Sequence, residues 1–134
     1  MEDITHSLYQ KALAVRLNAY APYSKYKVGA AIYTKNKKIY TGCNVENISF
    51  PCGTCAEAGA IAAMVAAGDS KIKALLVVSS GKDLVYPCGA CLQRIAEFGD
   101  DDTVIYLANT KKICEKHTLQ ELLPYNFKEE NIGK

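Results

Sequence analysis

Long apolar runs are missing: nothing in the 134-residue chain approaches a membrane-crossing length, and the opening MEDITHSLYQKALAVRL mixes charges into a helical pattern where a secretory leader would be apolar. A cytoplasmic protein is therefore expected. Charge of one sign is equally lacking. The 16 basic and 14 acidic residues are interspersed and leave a net +2, so neither nucleic acid nor a membrane surface is an expected partner. Small molecules and further copies of the chain are. Internal repeats, linkers and low-complexity segments are absent, apart from some alanine enrichment, and 49% hydrophobic against 22% charged residues fits a single domain over 1–134. Histidine is scarce as well. His6 and His117 have no ligand spacing to one another, which points to surface or capping roles.

Cysteine, by contrast, is plentiful. Six of them in a chain expected in a reducing compartment read as metal ligands, reactive thiols or buried apolar residues rather than as disulfides. Cys43 and Cys114 lie by strand-like apolar stretches and read as buried small hydrophobes. The other four fall into two answering motifs, FPCGTCAEAG from Phe50 and YPCGACLQRI from Tyr86. A structural zinc would close all four positions with Cys52, Cys55, Cys88 and Cys91, whereas a catalytic zinc keeps one position open and leaves a cysteine over.

The pattern around these motifs is that of a layered α/β domain. Leu8, Ala12, Val15 and Ala19 recur at helical spacing and Pro22 closes the segment, predicting an amphipathic helix over about 3–20. KVGAAIYT and IYTGCNVE read as a hairpin around the solvated tip KNKK. Alanine-dense CAEAGAIAAMVAAGD predicts a helix packed closely on something flat, with Gly68 and Asp69 as its stop. IKALLVVSS is apolar enough for a strand covered on both faces, GKDLVYPCG leads into a short helix over ACLQRIAEF, and DTVIYLAN is another buried strand. KICEKHTLQELLPYNF holds a weak strand and a short helix stopped by Pro124, before a polar tail.

Both cysteine pairs sit at or near a helix start, where free N–H groups and the helix dipole favour the thiolate that binds zinc. Glu57 weighs toward catalysis. A carboxylate two residues beyond a helix-starting cysteine can lie beside a metal without binding it, as suits a general acid/base, and a bare staple has no need of one. Zinc-dependent deaminases use this layout: three His or Cys ligands, a non-ligand Glu, and the split signature H-x-E then P-C-x-x-C. Here Cys55-Ala56-Glu57 stands for the first part and Pro87 to Cys91 for the second.

On AYAPYSKYKVGAAI, GCNVEN, CAE, PCGAC and ELLPYNF, in order over nearly the whole chain, the sequence resembles the small zinc-dependent cytidine deaminases of pyrimidine salvage. The resemblance implies a three-layer α/β/α fold with a five-stranded mixed sheet. It implies zinc on Cys55, Cys88 and Cys91, with Cys52 a bystander and Glu57 the proton shuttle in the hydrolytic deamination of cytidine and deoxycytidine. It further implies that Asn44 and Glu46 grip the ribose, that the Ala56 backbone and the segment before the second motif hold the base edge, and that Tyr26 and Phe127 line the pyrimidine pocket. Phe127 would reach in from a neighbouring subunit of a homotetramer. Taken alone, NVEN would read as a polar strand end.

Two arginines common in that family are missing, with Ala58 after Glu57 and Leu92 after Cys91. Three thiolates on Zn²⁺ carry net negative charge, so helix ends, or Arg94 reaching back one turn, are expected to offset it. PCGT ahead of Cys55, and Phe50 where tyrosine is common, also depart from the pattern, which leaves another aminated nucleoside or a blasticidin-like antibiotic as the alternative substrate.

Overall fold

Apolar strands build the centre of the molecule. In the computed structural model, which describes residues 2–80 and 84–132 apart from the side chains of Glu2 and Asn131, β1 (Val28–Thr34) and β2 (Ile39–Cys43) form an antiparallel hairpin. Its tip, Lys35 to Lys38, is exposed as expected, and Lys37 turns the chain with φ 63°. β3 (Ile72–Ser79), β4 (Val104–Ala108) and β5 (Ile113–Thr118) complete a mixed sheet of five strands in the order β2-β1-β3-β4-β5. β3 and β4 are parallel, and every other neighbouring pair is antiparallel.

The unbroken apolar run of β3 is explained by helices on both sides. Ala74, Leu76 and Val78 point into a core with Leu8, Tyr9 and Ala12 of α1 (Glu2–Arg16). Leu75 and Val77 point the other way, into a core with α2 (Ala56–Ala66) and α3 (Gly89–Phe98). Three layers result, as predicted. No helix among the described residues is long and apolar enough to cross a membrane.

Helix α1 ends at Arg16, four residues before the predicted end. There the chain is drawn into the sheet margin, where Tyr20 N–H donates to the Asn44 carbonyl at 3.0 Å and Glu46 N–H donates to the Tyr20 carbonyl at 2.8 Å. α2 packs as flat as its alanines suggested, since a Cβ on Gly42 of β2 would strike the main chain of Ala56, Gly59 and Ala60. Its stop is Gly68, at φ +89°. The short α4 (Leu119–Leu122) carries a capping box between Thr118 and Glu121. Cys43 and Cys114 are half-buried rather than buried, because β2 and β5 are the edges of the sheet and are covered on fewer sides. The approach to the second motif is predicted over 81–89, of which 81–83 lie outside the described residues.

Candidate active site

Topology brings the two cysteine motifs together. β2, β3 and β4 run in one direction, because β2 and β3 are both antiparallel to the β1 between them and β3 is parallel to β4. α2 follows β2 and α3 follows β3, so both helices begin at the same edge of the sheet. Cys55 and Cys88 are the residues that cap them, each with extended backbone.

Cys91 lies in the first turn of α3 and is 1% exposed. One ligand atom each from Cys55, Glu57 and Cys91 falls within a cluster no wider than 4.8 Å. The Sγ atoms of Cys55 and Cys91 face each other in contact, yet their Cα atoms are 7.8 Å apart. Disulfides span roughly 4.4–6.8 Å between Cα atoms, so these are two thiols converging on one point from separate helices. Two thiols at helix starts, where the dipole favours the thiolate, are donors that fit zinc, with the Glu57 carboxylate close enough to act beside the metal. Cys88 stands outside the 4.8 Å cluster and is exposed, but it lines the same cavity of about 230 Å³. Cys52 lies elsewhere, on an exposed 3-10 turn (Phe50–Cys52), with Sγ 3.6 Å from Ser49 Oγ.

Glu57 is 5% exposed. Burial pushes its pKa above the ordinary carboxylate value, while a main-chain N–H and the Arg94 guanidinium pull part of the way back. The expected reach of Arg94 is present, with Nη1 3.6 Å from Cys91 Sγ one turn back. Leu92, where an arginine is common, is buried in the core beside Ile95.

The cavity is also lined by Tyr26, Val28, Asn44, Ala56, Val85 and Tyr86. Asn44 is already employed there, its Oδ1 accepting from Val28 N–H at 2.8 Å and its Nδ2 donating to the Tyr26 carbonyl at 2.8 Å. Glu46 lines a second, outer cavity of about 490 Å³ with Tyr23, Ser24 and Phe50. Its carboxylate accepts from the N–H groups of Tyr23 (3.0 Å) and Ser24 (3.1 Å) and from the Ser24 hydroxyl, and that hydroxyl is the main cause of its lowered pKa. Asn44 and Glu46 of NVEN thus brace the loop between α1 and β1 within the chain.

Phe127 is 62% exposed and does not line its own chain's cavity. Its main chain pairs with the Gln93 amide: Phe127 N–H donates to Oε1 at 3.0 Å and the Phe127 carbonyl accepts from Nε2 at 2.9 Å. Sequence reasoning missed Gln93. The hint available was its place two residues past Cys91, and nothing marked the carboxy-terminal segment as its partner.

A family model described as the cytidine and deoxycytidylate deaminase zinc-binding region matches residues 2–108. Cytidine deaminase of Sporosarcina psychrophila is 42% identical over 126 residues, spanning 94% of this chain and 93% of the relative. That of Halalkalibacterium halodurans is 38% identical, spanning 94% and 96%. The crystal structure of cytidine deaminase from Burkholderia pseudomallei superposes with a TM-score of 0.86 at 40% identity, covering 91% of this chain and 98% of that one.

Proposed function

The chain belongs to the cytidine and deoxycytidylate deaminase zinc-binding family, and from this premise we propose how its residues perform the hydrolytic deamination of cytidine and deoxycytidine in the cytoplasm. The observation that carries the proposal is the convergence of Cys55, Glu57 and Cys91 within 4.8 Å at the shared start of two helices. Cys55, Cys88 and Cys91 would hold zinc. When bound, zinc supplies the Lewis acidity that makes water a nucleophile near neutral pH. Glu57 would take a proton from the attacking water as oxygen bonds to C4 of the base and pass it to N3, then take the proton of the new C4 hydroxyl and pass it to the amine, so that the C4–N bond breaks, ammonia leaves and the keto form remains. Its burial supports the role, because a carboxylate with a raised pKa is a stronger base toward the proton it takes up.

The Ala56 main chain and Tyr26 border the space left for the pyrimidine. Asn44 and Glu46 present the sugar side, using the lone pairs and N–H that their internal bonds leave over. The solvent-facing ring of Phe127 supports a homotetramer in which this residue of one copy closes the pocket of another. A nucleoside rather than a blasticidin-like antibiotic is favoured by the cytidine deaminases at 42% and 38% identity over nearly full length.

Zinc content tests the ligand assignment. Cys52→Ser is expected to retain about one zinc per chain, while Cys88→Ser loses it. Equal loss in both variants would make the centre a four-cysteine staple and end the proposal.

A further inference from the structure

Cys88 reaches the site on an irregular segment, Leu84 to Cys88, that is neither helix nor strand. One residue of that segment is tied across the molecule. The Tyr86 hydroxyl donates to Glu115 Oε1 at 2.6 Å, and His117 Nε2 meets the same oxygen at 2.7 Å. Glu115 and His117 are two apart on β5, so both project from one face. They lie opposite Leu107 and Ile105 of β4, which point into the core shared with α2 and α3. The face is therefore the one that bears the site.

The arrangement is braced from behind. His117 Nδ1 stands 3.7 Å from Glu121 Oε2, and Glu121 is itself held by the capping box with Thr118. The rings of Tyr86 and His117 approach to 5.9 Å between centroids. On the other side, Tyr86 lines the cavity that contains Cys55, Glu57, Cys88 and Cys91. One residue thus touches the edge strand through its hydroxyl and also lines the site.

We propose that Glu115 and His117 are positioning residues for the metal-ligand segment, acting through the Tyr86 hydroxyl to hold Cys88 toward Cys55 and Cys91. This rests on Cys88 being a zinc ligand. The groups are partly exposed, so their bonds add little to global stability. They act instead on a short stretch whose position decides whether the third thiol is in reach, much as hydrogen bonds behind metal ligands tune affinity elsewhere.

The test uses the zinc-loaded enzyme with Tyr86→Phe, Glu115→Gln and the pair combined, each mixed with excess chromogenic chelator. Zinc release is expected to be about tenfold faster in either single variant, with the double variant no faster than the singles. In the metal-free protein, amide exchange of a peptide covering 84–92 is expected to rise in Tyr86→Phe, while the thermal midpoint moves little. His117→Ala is expected to show a smaller acceleration, since it acts by orienting Glu115. Unchanged release in Tyr86→Phe, whether or not Glu115→Gln accelerates it, would overturn the proposal, as would a double variant much faster than both singles. Cys88→Ser supplies the separate check on the ligand assignment: if it retains zinc, that reading has failed, whatever Tyr86 does.

Discussion

Cys55 and Cys88 hold the same local post, each capping a helix with nearly the same backbone angles, φ −79°, ψ 161° and φ −69°, ψ 168°. Their surroundings differ. Cys55 begins a helix pressed onto β2, where Gly42 leaves no room for even a methyl group, and Glu57 follows it into the interior. Cys88 is exposed, and a Cβ on Gly89 beside it would meet nothing within 4 Å. The same local motif is thus packed tightly in one place and loosely in the other. Cys55 and Glu57, to which we assign the proton chemistry, are seated on the sheet, whereas Cys88, the proposed third ligand, is carried on an irregular segment.

The largest effect expected from breaking this comparison is on the seated side. Glu57→Gln keeps fold and zinc but lowers kcat by about 10²–10⁴-fold, because an amide neither accepts nor returns the proton. Loss of cytidine absorbance measures it, and a rate within tenfold of the parent would remove Glu57 from the chemistry. Glycines sharpen the contrast next. Gly42→Ala must displace main chain of α2 and is expected to cost about 1–3 kcal/mol in urea unfolding. Gly89→Ala, with open space at a helical position, is expected to be neutral or to stabilise by about 0.5–1 kcal/mol. Equal costs at the two positions would dissolve the distinction.

Arg94 links the halves, since it lies against Cys91 and its charge lowers the pKa of Glu57. Arg94→Ala is expected to move the acid limb of the pH dependence of kcat/KM toward higher pH, because Glu57 then stays protonated further up the scale. Arg94→Lys is expected to restore part of the shift, and an unmoved limb in both would leave the helix ends as the compensating charge. The smallest effect concerns His117, whose pKa is raised chiefly by its bond to Glu115, with Glu121 adding to it. Glu115 on β5 and Glu121 on α4 face its ring, as does Tyr86 from the segment before α3. A pKa raised on folding gives stability that is fully present below the unfolded value near 6.5 and fades as pH climbs through the folded value. His117→Asn is expected to flatten that decline in urea midpoints between pH 6 and pH 9.

Much of this site could be read along the chain because its chemistry is local. Cys55 and Glu57 are two apart at a helix start, and Cys88 and Cys91 are three apart at another, so spacing alone announced donors on two helix ends. The almost unbroken apolar run likewise marks β3 as covered on both faces, because each of its residues reports only what lies directly above or below it. The early end of α1 escaped notice because it is imposed by main-chain bonds from Tyr20 to a strand end more than twenty residues away. His117 reads as a surface or capping residue in a weak strand, and Glu115 carries no signal at all. Nothing next to them in sequence names Tyr86, and a partnership across 29 positions leaves no periodic trace.

The sheet also works as a partition. On one side, Leu8, Tyr9 and Ala12 pack against Ala74, Leu76 and Val78, and none of these borders the cavity with the thiols. Evolution and engineering therefore meet two kinds of ground in one small chain. Exchanges that conserve volume beneath α1 are expected to change how long the protein survives heat while leaving what it does untouched. Beneath α2 and α3 the same exchanges would move the helix starts on which the chemistry stands.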